Sequence, residues 1–479
     1  VSAERFHANG IDGASGAYLL PELTPADVAR AARGEPVDAI AAELRRRQLA
    51  GEAHYGVPDE ADPDDLGDTG WGIVFAHDAD PAIREALAPL VAHREAQAAA
   101  KNPARFRVLA GEHGVRPGQS KNEFLMENGG VPGECDPDRI PYYLLLAGSP
   151  AAIPFELQYQ LDVQHAVGRL HFDAPEDYAR YAQAVIDAER GAAPRARRLA
   201  LLGPRNADDD ATALSADVLL AELQAAAAAG RMAKGWQVDA VVGADATKAR
   251  LAAHLGGAET PAILFTASHG MGFPSGDPRQ ARHQGALLAQ DWPGPVDHRG
   301  RIPDTMYFSA DDLAADADVR GLVAFCFACY GAGTPARDQF SRADAADLRT
   351  LAPEPFVAPL ARALTAHPRG PALAFVGHVE RAWGYSFHWP QAGAATRAFR
   401  DALRRLALGR RIGHALEPFN DRHAALSTDL TVLLEKIRDG YRADEAELAR
   451  LWTANNDARN YVIIGDPAVR ACTAKETTT

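Results

Sequence analysis

The chain has 479 residues, of which 24% are charged and 47% hydrophobic, and a formal net charge of −14. This is ordinary globular composition, and the length calls for two or three domains or subdomains. The acidic balance argues against nucleic acid or an anionic membrane as a partner.

No run approaches the roughly 18 apolar residues of a membrane span. The start, Val1-Ser2-Ala3-Glu4-Arg5, has no apolar signal-peptide core. Four cysteines (Cys135, Cys326, Cys329 and Cys472) are no disulfide framework in so long a chain. A reducing cytoplasm is the expected location.

Residues 1–65 read as an N-terminal, partly helical segment of unknown role. Thr24-Pro25 has the form of an N-cap followed by Pro in the first turn, and a second helix is expected over 37–49. Residues 66–190 read as a small α/β subdomain. Strand-like runs are Gly72-Ile73-Val74-Phe75-Ala76, Phe106-Arg107-Val108-Leu109-Ala110, Tyr142 to Gly148 and Val163 to Leu170. Asp80-Pro81 opens a helix to about Ala100, and 112–141 is a long polar loop rich in Gly and Pro. A basic, Pro-containing linker at 191–198 marks the main boundary.

Residues 191–479 alternate strands and helices. Apolar runs begin at Leu199, Val238, Ile263, Leu322, Ala372 and Tyr461. Helices are expected near 213–229, 245–255, 356–366 and across 392–451. Six short strands separated by helices predict a mostly parallel, helix-covered sheet.

Two of the runs end in reactive residues. One is Ile263-Leu264-Phe265-Thr266-Ala267-Ser268-His269-Gly270; the other is Leu322-Val323-Ala324-Phe325-Cys326-Phe327-Ala328-Cys329-Tyr330-Gly331. Open α/β folds build their sites at the carboxyl ends of parallel strands. A Cys and a His delivered there by neighbouring strands form a nucleophile–base layout, in which the His lowers the thiol pKa and later protonates a leaving amine. The Gly270 and Cys329 amides are candidate oxyanion donors. Cys326-x-x-Cys329 also has redox or zinc spacing. However, residues three apart on a strand point to opposite faces, and no second Cys pair exists. Ser268 lacks a G-x-S-x-G elbow. His283 and His298 read as surface histidines, and no cofactor or metal is expected.

At Thr266-Ala267-Ser268-His269-Gly270 and Phe327-Ala328-Cys329-Tyr330-Gly331-Ala332-Gly333 the sequence resembles the caspase-like (clan CD) cysteine peptidases, in particular the bacterial gingipain-type and CHAT-type members. Three flanking stretches share the gingipain-type pattern. They are Tyr143-Leu144-Leu145-Leu146-Ala147-Gly148 with Ile153-Pro154, Ala166-Val167-Gly168-Arg169-Leu170, and Tyr461-Val462-Ile463-Ile464-Gly465-Asp466-Pro467. The resemblance covers about residues 142–470. It implies an α/β, caspase-like three-layer sandwich with a mostly parallel six-stranded sheet, preceded by a smaller α/β subdomain. It also implies a cysteine endopeptidase with a His269–Cys329 dyad and no obligatory third member. Its partners would be a protein or peptide substrate and an upstream activating protease or regulator. Gingipains are secreted, whereas this chain shows no secretion signal, which points to an intracellular role in signalling or defence. The alternative is a latent or non-catalytic relative acting through its N-terminal region.

The resemblance places substrate-pocket residues two before the Cys and after the first and fifth strands of the fold. Those positions are Phe327; Asp208, Asp209 and Asp210; and Glu380, Trp383 and Tyr385. One of the acids would pair with a basic P1 residue, and Asp208 to Asp210 could equally cap the next helix. Phe327 supplies no charge, and Trp383 and Tyr385 suit an apolar pocket wall, so basic and apolar P1 both stand. The 271–311 loop carries Arg279, Arg282, Arg299 and Arg301, which would be processing points if the enzyme cut itself after basic residues.

Overall fold

A computed structural model describes residues 61–192, 194–340, 350–389 and 392–473. The two helices expected before residue 50 lie outside the described residues.

Ten strands form one sheet: β1 (Trp71–Phe75), β2 (Phe106–Leu109), β3 (Tyr143–Ala147), β4 (Ala166–Leu170), β5 (Arg198–Gly203), β6 (Gln237–Val242), β7 (Ile263–Ala267), β8 (Val323–Phe327), β9 (Ala374–His378) and β10 (Tyr461–Gly465). Their spatial order is β2-β1-β3-β4-β10-β9-β8-β7-β5-β6. Every neighbouring pair is parallel except β9–β10. The sheet is therefore two parallel halves of opposite polarity, joined at that one antiparallel pair. The six strands expected after residue 191 are consecutive neighbours, and β4 joins the four earlier strands to them through β10.

The buried alternation in each strand sends residues to two cores. Leu199, Leu201, Ile263, Phe265, Val323, Phe325 and Phe327 face one layer of helices, whereas Ala200, Leu202, Leu264, Ala324 and Cys326 face the other. In chain order the main helices are α1 (Pro81–Ala98), α2 (Lys121–Glu127), α3 (Phe155–Asp162), α4 (Pro175–Glu189), α5 (Asp210–Ala228), α6 (Lys248–His254), α7 (Pro359–Thr365), α8 (Arg397–Ala407), α9 (Ile412–Arg438) and α10 (Glu445–Arg459). The first core takes side chains from α1, α4, α5, α8 and α9. The opposite side takes them from α2, α3, α6 and α7. This is the three-layer α/β sandwich expected from the sequence.

Several elements differ from the sequence reading. The polar 112–141 stretch contains α2, set by a capping box between Ser120 and Glu123. Helix α6 starts at Lys248, because the Thr247 side chain caps it. The 271–311 loop holds a short helix, Gln280–His283, and a small ladder of Leu287–Leu288 with Tyr307–Phe308. By length and composition α5 alone, among the described residues, is apolar enough to cross a membrane. Its Leu219, Leu220, Leu223 and Ala226 instead pack in the first core.

The β4–β10 seam explains two of the flanking motifs. Gly168 pairs with Ile463, and a Cβ at 168 would sit 2.1 Å from the Gly465 carbonyl oxygen. Asp466, fully buried just after β10, accepts from the Trp71 indole at 3.0 Å and from Arg94 Nε at 2.8 Å. Arg94, also fully buried, reaches Glu189 at 2.7 Å. One guanidinium on α1 thus ties α4 to the strand that closes the chain. Burial pushes the Glu189 carboxyl up, but Arg94, Gln97 and His93 outweigh it and hold it down at about 2. A carboxyl depressed in this way stabilises the fold above its unfolded pKa of about 4.3, and that contribution is lost as pH falls toward 2. Removing one partner of a buried ion pair costs about 3–5 kcal/mol. Arg94→Ala should therefore lower the unfolding free energy by that amount at pH 7 in denaturant titrations, and by less at pH 3. An equal loss at both pH values would contradict this account.

Candidate active site

Strands β7 and β8 pair in parallel, with Phe327 opposite Ala267 and Cys326 opposite Thr266. His269 and Cys329 each lie two residues beyond the paired ends, so the register sets them side by side at one edge. The pairing continues past the strands, because the Ser268 amide donates to the Phe327 carbonyl at 3.1 Å. A Cβ at Gly270 would lie 1.8 Å from the Cys329 carbonyl oxygen. Only glycine permits that approach. Cys326 points into the opposite core and is fully buried, so it is separated from Cys329 by the sheet itself.

Asp209 meets His269 from the end of β5. Its side chain caps α5 through the Thr212 amide at 3.1 Å and accepts from the Thr212 hydroxyl at 2.5 Å. The same carboxylate lies 2.9 and 3.1 Å from His269 Nε2. Partial burial pushes the Asp209 carboxyl up, but His269 and Thr212 hold it down at about 2. It is therefore ionised at neutral pH, and His269 donates its Nε2–H to it. The Trp292 ring stands edge-on to the imidazole at 6.1 Å. Just beyond Asp209, α5 widens into a π-helical turn at Ser215–Leu220, a device often found at functional sites.

Cys329 is half-buried, whereas Cys135, Cys326 and Cys472 are buried. Its sulfur accepts from the Ala382 amide at 3.3 Å and lies 3.7 Å from the Ala382 carbonyl. Burial pushes the thiol up, and the Ala382 amide and Arg381 oppose this only in part. In this resting arrangement the imidazole Nε2 faces Asp209, and the sulfur's hydrogen-bond contacts are with the Ala382 backbone.

The backbone around the cysteine is held in an uncommon form. Tyr330 and Glu380 are both non-glycine residues with positive φ, 58° and 73°. The Tyr330 amide donates to the Glu380 carbonyl at 2.5 Å, which fixes the two turns against each other. Such strain persists only where surrounding structure enforces it, and it clusters at functional sites. Among the described residues, the Gly270 and Cys329 amides donate to no backbone carbonyl outside the regular elements.

A cavity of about 310 Å³ opens beside this pair. Asp210, Ala211, Thr212, Leu214 and Ser215 of α5 line it, with Ser268, His269, Phe327, Cys329, Ala382 and Gly384. Of the expected pocket residues, Phe327 and Asp210 therefore face the cavity, and the other five are not in its wall. Asp208 is exposed, and Asp209 is engaged with His269. Glu380 is only 2% exposed, with its carboxylate on Arg381 and on the Gln339 amide. Trp383 stacks on Phe340 with centroids 5.2 Å apart, and Tyr385 packs edge-on to Trp389.

Two contacts with no signal in the sequence shape the site. The cap expected among the three aspartates is Asp209, but nothing in that run marks which one also reaches the imidazole. Asp457 of α10, fully buried, accepts from the Trp383 amide at 2.9 Å and from the Ser386 hydroxyl, anchoring the 382–386 turn. No group of three or more His, Cys, Asp or Glu residues is arranged to hold a metal ion among the described residues. His283 contacts Asp311 at 2.8 Å and Tyr307 at 2.8 Å, so it has an acidic partner in space that its sequence spacing hides. Arg279 and Arg282 are paired with Asp277 and Asp311.

No family model matches the chain, and no curated protein does. Among solved structures, the crystal structure of the Arg-specific cysteine proteinase gingipain R (RgpB) is 11% identical, over 87% of this chain and 80% of that one, with a TM-score of 0.44. The structure of another protease is 12% identical over 87% and 82%, with a TM-score of 0.46. The complex of the Porphyromonas gingivalis RgpB pro- and mature domains is 11% identical over 85% and 81%, with a TM-score of 0.45. At that distance the likeness says nothing about chemistry.

The contact between Gly270 and the Cys329 carbonyl yields a direct test. Gly270→Ala must push the two strand ends apart, at the roughly 1–3 kcal/mol typical of overpacking. Its melting temperature should fall by several degrees; an unchanged melting temperature would mean that the two backbones are not in contact.

Proposed function

We propose that the chain is a cysteine endopeptidase of the caspase-like type, with Cys329 as nucleophile and His269 as general base and acid. The observation that carries this reading is the β7–β8 register, which sets the thiol and an Asp209-anchored imidazole at one edge beside an open cavity. With the Nε2–H committed to Asp209, Nδ1 is the nitrogen left to take the thiol proton as substrate binds. The sulfur then adds to the scissile carbonyl carbon, and the carbonyl electron pair moves to oxygen, where the Gly270 and Cys329 amides receive it. Collapse expels the amine, which takes the proton from His269 Nδ1. Water, deprotonated by the same imidazole, hydrolyses the thioester and restores the thiol.

Asp209 enters this scheme as a positioning residue that fixes tautomer and ring orientation, so the pair becomes a triad. Four free thiols accord with an intracellular setting. There the enzyme would cut few protein targets in signalling or defence, under an upstream protease or regulator. One observation favours a second reading, a latent member acting through binding: the resting sulfur is held by the Ala382 amide at 3.3 Å.

Cleavage of a peptide library separates the two. The wild type should cleave, and Cys329→Ala should not, while its circular dichroism and melting temperature stay the same. Equal cleavage by Cys329→Ala would remove the assignment, and no cleavage by either protein would favour the latent reading. Asp209→Asn should reduce kcat by about 100-fold or more with KM little changed, since losing the group that orients a catalytic histidine has costs of that order. A change confined to KM would return Asp209 to the substrate pocket.

A further inference from the structure

We infer that the cavity beside Cys329 takes an uncharged, apolar P1 side chain of leucine size, rather than a basic one. The inference rests on the assignment of Cys329 as nucleophile, because the residue whose carbonyl is attacked must place its side chain in the space adjoining the sulfur.

The walls are more apolar than polar. Ala211 and Leu214 come from α5, Ala382 from the turn after β9, and Phe327 from the end of β8. Phe327 is 6% exposed and packs edge-on against Phe387 and Phe399, so it closes the buried end with an aromatic surface. The wall hydroxyls have their protons committed, that of Ser268 to the His269 carbonyl at 3.2 Å. The Ser215 hydroxyl donates to the Ala211 carbonyl at 3.0 Å, and the Thr212 hydroxyl is held by Asp209 and the Asn206 amide. The acid that could have reached inward, Asp209, is bound to His269. Asp210 is the one carboxylate in the lining, and it is exposed at the first turn of α5.

A guanidinium or ammonium entering this space would leave water with no buried carboxylate to receive it, and the exposed Asp210 offers only a solvent-screened charge, so the exchange is unfavourable. An aspartate would face the same cost and the Asp210 charge as well. A leucine side chain loses nothing polar and gains burial against carbon. Size is set by the approach of α5 to the turn: a Cβ at Gly384 would lie 2.9 Å from Leu214 Cδ2. Leu214 and Gly384 therefore fix the width of the cavity, and Phe327 fixes its depth.

Tripeptide aldehydes that differ only at P1 (Leu, Arg, Asp or Gly) read the pocket without requiring turnover. The thiol sulfur adds to the aldehyde carbon, and its proton passes to the carbonyl oxygen, giving a hemithioacetal that shields Cys329 from iodoacetamide. Mass spectrometry of the Cys329 peptide measures the protection. The leucine aldehyde should protect at concentrations about tenfold or more below the other three, the difference expected for burying one such side chain. Leu214→Ala should move the preference from leucine toward phenylalanine. An arginine aldehyde as good as or better than the leucine one, or protection that ignores P1, would overturn the inference. Cys329-dependent cleavage with an arginine preference would overturn the pocket and leave the peptidase reading intact. P1-ordered protection without any cleavage would do the reverse.

Discussion

The parallel pairing of β7 with β8 is the constraint on which the site depends. Five consecutive residue pairs, from Ile263 with Val323 to Ala267 with Phe327, lock the two strands in one register. A slip of one residue would turn every side chain to the wrong core. The same register brings the residues two beyond each strand, His269 and Cys329, to one height at one edge. Gly270 then lets the chain leave the sheet against the Cys329 carbonyl.

Around that pair the fold supplies support from distant segments. The N-terminus of α5 delivers Asp209 to the imidazole while using it as a cap, so helix start and site geometry are one event. The turn after β9 is gripped twice, by Tyr330 on Glu380 and by Asp457 on Trp383 and Ser386. Loops that carry function are accurate when rigid elements hold them, and here a strand end, a helix cap and a buried carboxylate do so. The β4–β10 seam, with Arg94 and Asp466 at its centre, fastens the earlier strands to the strand that borders β9.

The sequence was most legible where period and punctuation agree. Short apolar runs ending in glycine mark β7 and β8, and a period of two carried past the end of β8 already separates Cys326 from Cys329. Less legible was whatever depends on long-range meeting of polar groups. Three consecutive aspartates follow β5, and their roles diverge only in three dimensions: Asp208 is exposed, Asp209 binds the imidazole, and Asp210 borders the cavity. Glu380, Trp383 and Tyr385 suit a pocket wall by type, yet their partners Arg381, Phe340 and Trp389 draw them out of it. The resting thiol follows the same rule. Its pKa is set by desolvation and by the Ala382 backbone, neither of which has a signature in side-chain spacing.

The central claim is that His269 and Cys329 act as one unit across the two strand ends. It is tested most directly by the rate at which a peptidyl acyloxymethyl ketone alkylates Cys329 in the wild type and in His269→Ala, followed by intact mass and peptide mapping. The account predicts a single adduct on Cys329 that forms at least about 100-fold more slowly without the imidazole, the scale of general acid–base assistance. Equal rates in the two proteins, or an adduct on another cysteine, would contradict it.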